Sequence, residues 1–188
     1  AVQMVWYRVG SMDEHDGVTG VAHVTEHMMF KGTPSVGPGE FNRRVAALGG
    51  RDNAFTSTDY TAYFQQVPAN QLKTVMALEA DRMRHLTLDP AGYDKEIQVV
   101  MEERRMRTDD QSTARVHEAM NAVAWQAHPY RRGFHIVRLA VGLARARQPC
   151  QYLDLLQLRQ RAGRHRAVAI AKRDQQGQPA GRMLLHRD

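Results

Sequence analysis

His23-Val24-Thr25-Glu26-His27 forms an H-x-x-E-H pattern inside the apolar run at residues 20–30. On a helix, His23 and His27 fall one turn apart on one face, and Glu26 shares that face. Two imidazoles so placed can grip a single Zn²⁺. The carboxylate beside them can take a proton from an attacking water, so the pattern points to metal-assisted hydrolysis.

A zinc ion that does chemistry takes three protein ligands and keeps one position open, so a third donor is required. The segment Glu96-Ile97-Gln98-Val99-Val100-Met101-Glu102-Glu103-Arg104 offers it. Glu96 and Glu103 are a heptad apart and share a helical face, with Val99 and Val100 between them. One carboxylate can bind the metal while the other orients a metal ligand from behind. Helical geometry prefers Glu103 to Glu102 only if Glu96 marks the inward face, and the spacing alone leaves that open.

These residues need elements to hold them. Residues 2–9 read as a strand and 10–20 as an acidic, glycine-containing loop. The motif helix covers 21–30 and stops at Lys31-Gly32-Thr33-Pro34. A short amphipathic helix is expected over 40–48, ended by Gly49. Residues 53–67 are rich in Thr, Tyr and Phe and partly alternate, which predicts strands or a hairpin. A long helix over 68–86 draws its apolar face from Leu72, Val75, Met76, Leu78 and Met83. Asp89-Pro90 is a helix start, with Asp as the cap and Pro at the first helical position. That helix should run to about Thr108 and carry Glu96 and Glu103. Another, over 112–126, is expected to turn Val116, Met120, Val123 and Ala124 inward. The fold class is therefore α+β, with an antiparallel or mixed sheet packed against helices and a metal site on two helices.

Composition narrows the functions. At 188 residues the chain can build one domain with a substantial core. No apolar run approaches the length of a membrane span. Cys150 is the only cysteine, which excludes an intrachain disulfide and a cysteine-rich metal site. Residues 1–133 carry 15 Lys and Arg against 17 Asp and Glu, whereas 134–188 carry 11 against 3. This basic end lacks interleaved aromatics and any nucleic-acid-binding pattern, so no nucleic-acid partner is expected. Residues 1–133 read as the metal-bearing domain and 134–188 as a divergent, disorder-prone tail. A truncation or a change of reading frame near Gly133 would leave such a break in composition.

The remaining polar residues receive bland readings. His15, His85, His117, His128, His135, His165 and His186 have no partnered spacing and are expected at the surface or in structural roles. Arg82 beside Asp81 reads as a helix-face ion pair. The ten Met mostly fall at helical core positions.

Several motifs together carry a family resemblance. They are His23 to His27, Glu96 with Glu103, and Gly49-Gly50-Arg51-Asp52-Asn53-Ala54-Phe55-Thr56-Ser57. Residues 17–33, 78–83 and His128-Pro129-Tyr130-Arg131 add to it. The chain resembles, over residues 5–132, the N-terminal catalytic domain of the pitrilysin, insulin-degrading enzyme and mitochondrial processing peptidase family. These are inverzincin zinc metallopeptidases, whose H-x-x-E-H reverses the commoner H-E-x-x-H order.

The resemblance implies one Zn²⁺ held by His23, His27 and Glu103, with Glu26 as general base and Glu96 behind the ligands. It implies that Asn53, Ala54, Phe55 and Thr56 hold an extended peptide or unfolded polypeptide beside the metal. It also implies a second homologous domain or subunit that encloses the substrate. Because the sequence opens inside an expected strand, a preceding strand or targeting segment is expected to be missing from it. An unreactive core-type subunit of the same fold is one alternative, and a catalytically incompetent half-site is another. A third is an H-x-x-E-H lyase, whose extra ligand would have to be Cys150. The compartment is not legible from the sequence; a bacterial source would point to the periplasm or the exterior.

Overall fold

The computed structural model describes residues 1–15 and 19–131, together with the backbone of 168–169. Four strands form one antiparallel sheet in the order β2-β3-β1-β4. They are β1 (Val2–Tyr7), β2 (Arg51–Thr56), β3 (Thr61–Gln66) and the short β4 (Val168–Ala169). Five α-helices accompany them: α1 (Val21–Met28), α2 (Glu40–Ala47), α3 (Leu72–His85), α4 (Pro90–Arg104) and α5 (Ser112–Ala124). The architecture is α+β, as expected. No helix among the described residues is long and apolar enough to cross a membrane.

Local chemistry explains where the elements begin and end. Asp89 caps α4 by accepting from the amides of Ala91 at 3.4 Å and Gly92 at 2.8 Å, with Pro90 next in line. Gly49, at φ 74°, turns the chain out of α2 and into β2. β2 and β3 pair from Arg51↔Gln66 to Thr56↔Thr61, and β1 pairs with the other side of β3. β2 is therefore an edge of the sheet.

One core cluster joins α1 and α4 to the sheet through Val24, Met28, Tyr63, Ile97 and Val100. A second, of Val36, Phe41, Val45, Val67 and Val75, lies under α2 and α3. Met28 is fully buried within the first cluster. Met28→Ala should therefore destabilise the chain by about 2–5 kcal/mol, the sum of lost transfer energy and a residual cavity. Urea unfolding of the metal-free protein measures this; an unchanged midpoint would mean that α1 is not anchored here.

Four expectations need correction. The α-helix that opens at Pro90 ends at Arg104, and residues 105–109 form a π-helical turn closed by Asp110 N–H donating to Arg105 O at 2.8 Å. On α5, Val116, Met120 and Val123 are 68%, 56% and 70% exposed, and Ala124 is exposed with them. The helix contacts mainly its chain neighbours, the π-turn and the turn at Pro129–Arg131. An apolar stripe reports a face that prefers cover, not the presence of a cover. Of the described Met residues, only Met28 and Met29 are buried.

Arg82 is the fourth case. It is 2% exposed and pairs with Glu79, at 2.5 Å from Nη2 to Oε2, not with Asp81. Its guanidinium lies 4.3–4.9 Å from the ring centroids of Phe41, Tyr63 and Phe30. Gln65 Nε2 donates to the same Glu79 carboxylate. The inward positions of α3 thus include a buried ion pair, while Met76 and Met83 are only partly covered. His15, His85, His117 and His128 lie exposed. Cys150, His135, His165 and His186, and all but two residues of the basic tail, lie outside the described residues.

Candidate metal centre

Helix α1 must start cleanly for its two His to point together. Gly20, at φ 90°, supplies the left-handed turn that leads into it. Glu14, buried in the preceding loop, accepts from the amides of Gly20 and Ala22, each at 2.8 Å. A carboxylate is favoured there because helix N-terminal amides carry partial positive charge. Glu14 escaped the sequence reading because residues 15–19 intervene and no fixed capping spacing marks it. Glu14→Ala should cost about 1–3 kcal/mol, since two buried amides lose a charged acceptor. Urea unfolding checks this, and a change within error would show that solvent replaces the carboxylate.

His23 and His27 rings sit 4.8 Å apart between centroids, nearly perpendicular. Packing of α1 against α4 brings Glu103 to them. Glu103 Oε2 lies 3.6 Å from His23 Nε2 and 3.4 Å from His27 Nε2. These three donor atoms lie within 4.8 Å of one another, the group among the described residues that can hold a metal ion. Ligand atoms ~2.0–2.1 Å from a tetrahedral ion stand about 3.3–3.4 Å apart, so the spacing suits one ion. Two imidazole nitrogens and one carboxylate oxygen also form a donor set that zinc accepts.

Glu96 stands behind this group. Its Oε1 lies 2.9 Å from His27 Nδ1. A proton on Nδ1, donated to Glu96, leaves the Nε2 lone pair facing Glu103. Lys31, just past the end of α1, pairs with the other Glu96 oxygen. Burial pushes the Glu96 carboxyl up, but the bonds from Lys31 and His27 outweigh it and the net shift is downward. Glu102 instead pairs with Arg105 on the exposed side of the helix. The structure thus separates Glu103 from its neighbour, a choice the spacing had left open.

Glu26 is 8% exposed, and its Oε2 accepts from Thr56 Oγ1 at 2.5 Å. Burial raises its carboxyl above the usual range; the Thr56 bond and the charge on His27 pull the other way. Along edge strand β2 the side chains alternate. Asn53 and Phe55 are exposed, Ala54 packs on the first core cluster, and Thr56 is buried at Glu26. The four residues expected to contact substrate therefore divide, with only Thr56 joined to the metal group by its side chain. Its contact with Glu26 was not legible, nor was that of Lys31 with Glu96, because pairs between distant segments leave no local spacing.

An α+β fold here brings two His, a distal Glu and a buried carboxylate close together, and the three donors could hold a metal ion. The chain belongs to the insulinase family, peptidase family M16, whose profile matches residues 2–135. It is 40% identical over 126 residues to the zinc protease PqqE of Helicobacter pylori, covering 67% of this chain and 28% of that protein. The crystal structure of a protease from Helicobacter pylori superposes with a TM-score of 0.70 at 33% identity, covering 76% of this chain and 36% of that one. The first half of the periplasmic protease PqqL from Escherichia coli gives a TM-score of 0.70 at 26% identity, over 85% of this chain and 34% of that one. The chain thus spans about a third or less of the relatives it matches.

Proposed function

We propose that this chain is the metal-bearing part of a zinc metalloendopeptidase. The convergence of His23 Nε2, His27 Nε2 and Glu103 Oε2 supports this reading most directly. Those three residues would hold the ion, and Glu96 would fix the His27 ring through Nδ1. When bound, zinc would polarise the scissile carbonyl and lower the pKa of an attacking water toward ~7. Glu26 takes the water's proton and passes it to the leaving amine. Thr56 holds Oε2 of Glu26, which directs Oε1 to that task.

Asn53 to Thr56 lie on a sheet edge that can add an extended peptide by backbone hydrogen bonds, with alternate side chains facing it. The substrate is then an extended or unfolded polypeptide. A second half would enclose it and supply the donors that stabilise the developing oxyanion. Because the chain spans less than a third of PqqE, the reading of a half-site that works only with its complement stands beside that of a self-sufficient enzyme. A lyase would need Cys150, whereas Glu103 already completes a three-donor set.

The test is zinc titration into the metal-free chain, followed by cleavage of an unstructured peptide with and without the remaining length of the family. Uptake of about one zinc, with cleavage in either form, is the expected result. Failure to bind zinc would overturn the reading; binding without cleavage in the complete form would leave only the metal site.

A further inference from the structure

The two carboxylates at this centre are held in the same way. Glu96 turns Oε1 to His27 Nδ1 and gives Oε2 to Lys31. Glu103 turns Oε2 to the two His Nε2 atoms and gives Oε1 to Arg107 Nε at 3.0 Å. Each carboxylate thus has one oxygen facing the imidazoles and the other tied to a cation. The cations come from the first residues beyond two helix ends. Lys31 follows α1, and Arg107 stands in the π-turn that follows α4.

We infer that Lys31 and Arg107 are positioning residues, which hold the outer oxygens of Glu96 and Glu103 so that each presents a single oxygen to the metal-binding imidazoles. The inference rests on the zinc-site reading above and assigns two residues that reading does not use. A carboxylate rotates readily about its last bond, and Glu103 could otherwise turn either oxygen, or both, toward the ion. A guanidinium N–H fixed on Oε1 removes that freedom before the metal arrives. Lys31 acts one step further out, through Glu96 and the His27 ring.

A bland alternative is that both cations merely offset negative charge, for Glu26, Glu96 and Glu103 lie together and, among the described residues, Lys31 and Arg107 are the lysine and arginine paired to them. The two readings predict opposite signs. A nearby cation repels Zn²⁺, so removing one that only offsets charge should tighten zinc binding, by a small factor because both side chains reach solvent. Removing one that positions a ligand should loosen it, by about 10–100-fold. Arg105 provides the control. It sits on the same π-turn, 55% exposed, and pairs with Glu102 and Asp110 and not with a proposed ligand.

The experiment is zinc affinity of the full chain, measured by competition with a chromophoric chelator at fixed pH and ionic strength. Affinity is preferred to turnover, because the charge of Arg107 also bears on Glu26 and a rate would mix the two effects. Arg107→Met and Lys31→Met should each weaken binding by about tenfold or more. Arg107→Lys and Lys31→Arg should recover most of it, and Arg105→Met should leave it unchanged. Urea midpoints of the metal-free variants accompany the titrations, since Arg107 is 66% exposed and its loss should not move the fold. Equal or tighter binding in both Met variants overturns the inference while leaving the site intact. A weakening shared by Arg105→Met overturns it too, by showing a charge or folding effect. A wild-type chain that binds no zinc sinks the site reading, and this inference with it.

Discussion

His27→Ala should reduce the zinc content of the purified chain from about one ion per molecule to none after dialysis. The residue contributes at two levels. Its Nε2 is one of three converging donors, and its Nδ1 is the atom through which Glu96 acts on the site. Partners behind a metal ligand commonly carry about 10–100-fold in affinity, and loss of the ligand itself removes their contribution as well. Two donors, His23 and Glu103, would remain, too few for a zinc site of this class. The fold should survive, because alanine favours helix and His27 is only partly buried at the end of α1. Lys31 also stays paired with Glu96, so no buried carboxylate is left alone.

A second readout separates metal loss from unfolding. A ligand that binds only the folded state stabilises it by about 2.7 kcal/mol at a hundredfold excess over Kd. Added zinc should therefore raise the melting temperature of the wild-type chain and leave that of His27→Ala unmoved. A variant that keeps its zinc would remove His27 from the site. A variant that loses zinc and also melts well below the metal-free wild type would show a folding defect instead.

Much of this centre could be read in the sequence because its main features are local. His23, Glu26 and His27 fall within one turn and a third of helix, and Asp89-Pro90 announces α4 without help from tertiary structure. What brings Glu103 to the two His is the packing of α1 on α4, and no spacing encodes that. The resemblance to known peptidases supplied Glu103 where periodicity left Glu102 open. Sequence neighbours also misled: Asp81 adjoins Arg82, yet adjacent residues point to different sides of a helix. Glu79, three residues back, is the one that faces it. The stripe on α5 misled in a different way, being amphipathic with no described element to cover it. Thr56 shows the limit most plainly. As part of a predicted strand it read as a place for substrate, and the structure joins it to Glu26 across the fold.

That contact frames the second large effect, expected for Glu26→Gln. Glutamine keeps the length of the side chain and an oxygen able to accept from Thr56 Oγ1, so the local geometry should hold. It has no basic oxygen to receive the proton of an attacking water. A positioned acid–base group is typically worth about 10²–10⁴ in rate, and peptide turnover should fall by that factor. Zinc content should stay near that of the wild type, since Glu26 is not among the three converging donors. Metal content thus tells Glu26→Gln from His27→Ala: the first loses turnover and keeps the ion, the second loses both. The assay belongs on the protein in its full family length, because oxyanion donors are expected from the part beyond this chain. Turnover within about tenfold of wild type would remove Glu26 as the base. Loss of zinc in the Gln variant would instead make Glu26 a ligand and require a different residue to move the proton.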